Sequence, residues 1–147
     1  MTKKISKKEG DESGSNVTFT TGKRRKAVAS ASIKPGKGIV KLNGTPVEMI
    51  GNQFARMKVM EPLILAGDAW KQFDIKITSK GGGMLGQADA ARLAIAKGLS
   101  KVVGAELRNK FMEYDRNMLI ADPRRTEPHK PPRSSQGPRR YKQRSKR

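Results

Sequence analysis

The chain has no cysteine, which excludes disulfides, thiol nucleophiles and cysteine-ligated zinc. Its one histidine, His129, lies among prolines near the end, so neither a catalytic triad nor a histidine metal site can form around an oriented ring. Acids are scarce, 13 Asp and Glu against 32 Lys and Arg in 147 residues, and their scatter defines no paired-carboxylate site. No apolar run approaches the roughly 18 residues of a membrane-spanning helix. The opening M-T-K-K-I-S-K-K-E-G-D-E lacks a signal peptide's apolar stretch, and its acids, with no Arg before Arg24, fit a mitochondrial presequence poorly. The expectation is a cytoplasmic protein with no membrane partner, small-molecule substrate or cofactor.

What the chain has is positive charge, and it is placed unevenly. The formal net charge is +19, divided as +1 over residues 1–16, +7 over 17–41, +2 over 42–115 and +9 over 116–147. Cations gathered at two ends of a balanced middle are the mark of a phosphate-binding chain, whose affinity comes largely from counterion release. Five of the eight prolines also fall in the last 32 residues, where each fixes its own φ and removes a donor. Little there is apolar enough to offset the entropy of ordering. Three parts are therefore expected: a flexible extension over 1–16, a folded nucleic-acid-binding body over 17–115, and an extended basic tail over 116–147.

Within the body, Ala27, Ala29, Ala31 and Ile33 alternate with Val28, Ser30, Ser32 and Lys34, the period of a strand. Pro35-Gly36-Lys37-Gly38 is turn chemistry, and Ile39 to Leu42 then runs back, which predicts a β-hairpin. A helix is expected from about Gln53, with Pro62 marking a kink or a second start. Phe73, Ile75 and Ile77 alternate with Asp74, Lys76 and Thr78 as a strand. A helix follows from Gly86 to about Val103, stopped by Gly104, then a shorter one over 106–114 and a last apolar strand at Met118 to Ile120. The fold class is α+β.

Two motifs carry chemistry. Lys23-Arg24-Arg25-Lys26 stands at a strand entrance, with no acid anywhere in 17–41 to compensate it. Lys34, Lys37 and Lys41 could extend that surface. Gly81-Gly82-Gly83 joins a strand to a helix, where backbone N–H groups and the helix dipole cradle phosphates. A nucleotide-binding enzyme would need Lys and Ser or Thr after the last glycine of the stretch G-G-G-M-L-G-Q-A-D-A-A-R from Gly81 to Arg92; after that glycine, Gly86, stand Gln87-Ala88 instead. A tight structural turn and an RNA-phosphate contact fit the glycines equally well. Trp70 and Tyr114 read as packing residues, whereas Tyr141, among cations, suits stacking on a base. An RNA-binding protein, a DNA-compacting protein and a phosphotransfer enzyme remain as readings of the residues alone, in that order.

These motifs occur in one order that resembles the universal small-subunit ribosomal protein family nine. They are T-G-K-R-R-K-A-V-A from Thr21, I-K-P-G-K-G-I-V-K-L-N-G from Ile33, G-G-G-M-L-G-Q-A-D-A-A-R from Gly81 and D-P-R-R-T-E-P from Asp122. The stretch A-D-P-R-R-T-E-P-H-K-P-P is similar to the archaeal and eukaryotic branch, while the ending Arg144-Ser145-Lys146-Arg147 is like bacterial endings. The resemblance covers about residues 17–147. It implies a four-stranded sheet with helices packed on it, like the second domain of ribosomal protein five, including a left-handed β-α-β crossover against the usual right-handed preference. It also implies a place in the small-subunit head beside neighbouring head proteins. Ribosomal RNA would be held by Lys23, Arg24, Arg25, Lys26, Lys34, Lys37, Gly81, Gly82, Gly83, Arg124, Arg125, Lys130, Arg133, Arg139, Arg140, Tyr141 and Lys142. Arg144, Lys146 and Arg147 would meet the peptidyl-site transfer RNA.

Overall fold

The computed structural model describes residues 17–124. Strands β1 (Thr18–Arg24), β2 (Ala27–Pro35), β3 (Val40–Leu42), β4 (Thr45–Pro46) and β5 (Phe73–Lys80) form one sheet in the spatial order β1-β2-β5-β3-β4. β3 and β5 are parallel, and the other neighbours are antiparallel. Helices α1 (Gln53–Ala66), α2 (Met84–Val102) and α3 (Ala105–Tyr114) complete the α+β body. The expected sheet of four strands is one short: Thr45 and Pro46 pair with Leu42 and Lys41 across an Asn43-Gly44 turn. Both turn residues have positive φ, 50° and 89°, the backbone that Asn-Gly hairpins adopt.

Side-chain size explains the layering. On β2, Ala27, Ala29, Ala31 and Ile33 are buried while Val28, Ser30 and Lys34 are exposed. Facing them, α2 buries Ala88, Ala90, Ala91, Ala94 and Ile95. Alanine against alanine lets helix and sheet approach closely. At Gly22 the approach is closest, since a Cβ there would lie 2.1 Å from the Ala90 carbonyl oxygen. Two residues earlier on β1, Thr20 Oγ1 donates to the Ala94 carbonyl at 2.8 Å.

The predicted hairpin between β2 and Ile39–Leu42 does not form. β5 inserts between them, antiparallel to β2 and parallel to β3. The hairpin partner of β2 is β1, joined through Arg25-Lys26. α1 runs continuously through Pro62, whose ring is buried, and Asn52 Oδ1 caps it by accepting the Ala55 N–H at 3.0 Å. α2 begins at Met84, two residues ahead of the expected Gly86. Gly104, at φ 121°, separates α2 from α3. Met118 to Ile120 make no strand: Arg116–Met118 is a 3₁₀ turn whose Met118 is fully buried.

Candidate nucleic-acid interface

The hairpin tip and the glycine turn, far apart in sequence, meet in space. The register Lys23↔Val28 and Arg24↔Ala27 leaves Arg25 and Lys26 as the turn, and Arg25 takes φ 53°, a left-handed conformation that costs a non-glycine residue about 1 kcal/mol or more. Against this turn lie Gly81 and Gly82 at φ 75° and 66°. A Cβ on Gly81 would sit 2.6 Å from the Lys26 carbonyl oxygen, so glycine is required for the two turns to touch. Gly83 then opens α2 with no side-chain cap, which leaves the first N–H groups of α2 facing outward. Arg24, Arg25, Lys26, Gly82, Gly83 and Gly86 line a cleft of about 420 Å³, whose one acid, Asp89, is paired with Arg24 and Lys58. Cations, a helix N-terminus and bare backbone in one cleft suit a phosphate.

Lys34 and Lys37 are not part of that cleft. They lie toward the opposite end of the sheet, roughly 25 Å along the strand. There Lys34 and Lys41 line a separate groove of about 300 Å³ together with Lys76. Lys76 and Lys80 are sites that the sequence reading passed over, although the alternation of β5 places both on the side away from Ile75 and Ile77. That side is the sheet face opposite the helices. Lys23, Lys34, Lys41, Lys76 and Lys80 are exposed there, with Phe19 72% exposed beside them. Asp74 is the acid on this face, and its Oδ1 already accepts the N–H groups of Lys37 at 2.9 Å and Ile39 at 3.0 Å. Those two bonds hold its carboxyl below the usual range.

The four hairpin cations divide between the faces. Arg24 points to the helix side, where its Nε is 3.8 Å from Asp89 Oδ2 and its Nη1 pairs with Asp122. Asp89 also receives Lys58 Nζ at 2.6 Å. Asp122 in turn accepts the Arg124 N–H at 2.8 Å. The cleft around these groups, about 430 Å³, is bordered by Lys23, Lys58, Arg92, Asp115 and Arg124. Arg24 is thus a tie between the hairpin, α2 and the segment at Asp122. Arg125, Lys130, Arg133, Arg139, Arg140, Tyr141, Lys142, Arg144, Lys146 and Arg147 lie outside the described residues, as does His129.

Two further networks brace the site. Arg92 on α2 holds Glu61 of α1 through Nη2–Oε1 at 2.8 Å and a closer but poorly directed Nε–Oε2 contact at 2.6 Å, and reaches Asp115 Oδ2 at 2.9 Å. Tyr114 bonds to Glu61 as well, which raises its phenol pKa. Gln87, standing where a nucleotide-binding loop would carry lysine, donates to the Gly81 carbonyl at 3.1 Å and accepts from Ser79 Oγ at 3.2 Å. Ser79 is bonded in turn to Asn43. The residue after the glycines therefore fastens the turn to the sheet. Among the described residues no group of three or more His, Cys, Asp or Glu could hold a metal ion, and no helix is long and apolar enough to cross a membrane.

A lysine-bearing sheet face joined at one end to a cation-lined cleft is the surface a nucleic-acid-binding protein presents. The model of the family described as ribosomal protein S9/S16 matches residues 22–147. The small ribosomal subunit protein uS9 of Methanococcus maripaludis strain C5 is 48% identical over 130 residues, 88% of this chain and 97% of that protein. That of Methanococcus vannielii is 46% identical over the same shares. The chain belongs to the ribosomal protein S9/S16 family, a family of structural ribosomal proteins and not of enzymes, and its relatives here are archaeal.

Proposed function

We propose that this chain is a constituent of the small ribosomal subunit in the cytoplasm that grips ribosomal RNA of the subunit head with its body and reaches peptidyl-site transfer RNA with its tail. Within the body, Arg25, Lys26 and the turn Gly81–Gly83 bind one phosphate of the RNA backbone, while Lys23, Lys34, Lys37, Lys41, Lys76 and Lys80 follow further phosphates across the open face. Phe19 offers a ring on which a base can stack. The observation that carries this reading is the meeting of Arg25 and Lys26 with Gly82 and Gly83 in one cleft at the start of α2.

For the tail, the support is family membership and charge. Residues 125–147 would span roughly 70 Å if extended. The basic residues Arg125, Lys130, Arg133, Arg139, Arg140 and Lys142, with Tyr141, would follow ribosomal RNA, and Arg144, Lys146 and Arg147 would meet the anticodon stem. A terminal guanidinium supplies the planar fork that phosphate recognition uses. The test is a crosslink map of the full-length chain in cell extract beside a version lacking residues 145–147. Body crosslinks to small-subunit RNA in both, with transfer RNA crosslinks in the full-length chain alone, are expected. Crosslinks spread over DNA and unrelated RNA would overturn the assignment.

A further inference from the structure

Helix α1 is apolar on two sides. Ala55, Val59, Pro62 and Leu63 are buried against the core. Phe54, Met57 and Ile64 are nonetheless 73, 58 and 70% exposed, and Met49, just ahead of the helix, is 75% exposed. Spacings of three and seven residues put 54, 57 and 64 on one stripe. Single apolar residues on a surface are ordinary, but three on one helical stripe with a fourth just ahead of the helix are the pattern of an interaction site. The stripe leads through Ile64 into a cleft of about 320 Å³ between α1 and β3, walled by Val40, Val47, Leu63 and Trp70.

Charge identifies the occupant. The clefts on the hairpin, glycine-turn and open-sheet sides each hold more Lys and Arg than Asp. This one is lined by Glu48 and Asp68 and by neither Lys nor Arg, with Lys71 beside it paired to Asp68 at 2.6 Å. The wall thus lacks the cations that could hold phosphate on the other faces and presents Glu48 to a cation, so the site suits an apolar anchor with basic flanks. A second copy is disfavoured because each chain carries +19. The chain's own residues 125–147 contain no Ile, Leu, Val, Met, Phe or Trp to act as the anchor. Resting on the ribosomal reading above, we propose that the stripe Met49, Phe54, Met57, Ile64 and the adjoining acid-rimmed cleft receive an apolar segment flanked by Lys or Arg from a neighbouring small-subunit protein.

The test places a photoreactive benzophenone side chain at position 54 of the full-length protein, incorporates it into small-subunit particles, irradiates them and identifies the crosslinked peptides. Crosslinks to one small-subunit protein, within an apolar segment bearing Lys or Arg on its flanks, are expected. Ile64→Glu should reduce their yield at least tenfold, and Glu48→Lys with Asp68→Lys several-fold, while binding of the purified full-length variants to a small-subunit RNA fragment stays within about twofold. Crosslinks to RNA, to residues 125–147, to a second copy or to an acidic segment would each overturn the proposal, as would their absence. So would loss of RNA binding in Ile64→Glu. Failure of the chain to enter particles at all would overturn the ribosomal reading itself, a result distinct from correct assembly with crosslinks elsewhere.

Discussion

The carboxylate of Asp122 pairs with the guanidinium of Arg24, so the chain at residue 122 lies beside the cationic hairpin. Through its other oxygen Asp122 accepts the Arg124 N–H, which fixes the backbone direction at the point where the described part ends. Asp122→Asn should release this junction while leaving the core intact. Trypsin cleavage after Arg124 is expected to quicken about two- to fivefold, the range of a partly exposed ion pair. An unchanged rate would mean that the pair holds nothing.

Lys76→Gln and Lys80→Gln should each lower the salt dependence of RNA binding. The slope of log affinity against log salt falls by about 0.7 to 0.9 for each phosphate that is no longer neutralised. Lys101→Gln, at the far end of α2, should leave it unchanged. Phe19→Ala should cost about 1–3 kcal/mol of affinity and Phe19→Tyr much less, because stacking uses the ring face that tyrosine keeps. Binding of an RNA fragment measured across a salt series would check all five variants.

Gly22→Ala should destabilise the body by about 1–3 kcal/mol or more. The added Cβ would collide with a backbone carbonyl at 2.1 Å and the Ala94 nitrogen at 2.8 Å, and neither can rotate away. Gly98→Ala is the contrast: its Cβ meets the Ile33 Cδ1 tip at 2.3 Å, the end of a side chain that can change rotamer. Its cost should be smaller. Urea unfolding of the two variants side by side decides this.

Arg92→Leu should leave Glu61 and Asp115 facing each other without their cation. The expected cost is about 2–3 kcal/mol, less than for a fully buried pair because these side chains keep some solvent. Arg92→Lys should recover only part of it, since one ammonium cannot reproduce the fork between α1 and the turn after α3. Thermal unfolding measures both.

Asp74 sets an acid limit on the connection between β2 and β3, whose N–H groups it holds. Its folded carboxyl is held low by the Ile39 and Lys37 N–H groups, so its contribution is complete above the unfolded pKa of about 4 and is lost as pH falls through the lower folded value. An Asp74 carboxyl titration by NMR should show that depressed midpoint. Asp74→Asn should remove this acid response from the β2–β3 connection.

How much of the fold and site is legible in the sequence depends on the range of the interaction. The alternation of β5 and the helical spacing of α2 are local, and both elements stand where the residues put them. The pairing of β2 is not legible, because Pro35-Gly36 makes a good turn whereas Arg25-Lys26 has no turn residue at all. Nothing near residue 40 announces that residues 73–80 will come between. Arg92 is hidden for the same reason: its partners Glu61 and Asp115 are 31 and 23 positions away in sequence and meet only when three helices pack. The glycines declare a turn on their own, but their fit against Lys26 requires the fold.

The insertion of β5 between β2 and β3 also imposes a timetable on synthesis. β3 has no partner other than the two-residue β4 until residue 80 has been made. At about 5–20 residues per second, the interval from residue 42 to residue 80 lasts roughly 2–8 s. During it the inner edges of β2 and β3 stay open in the nascent chain, and only its last-made strand closes the sheet.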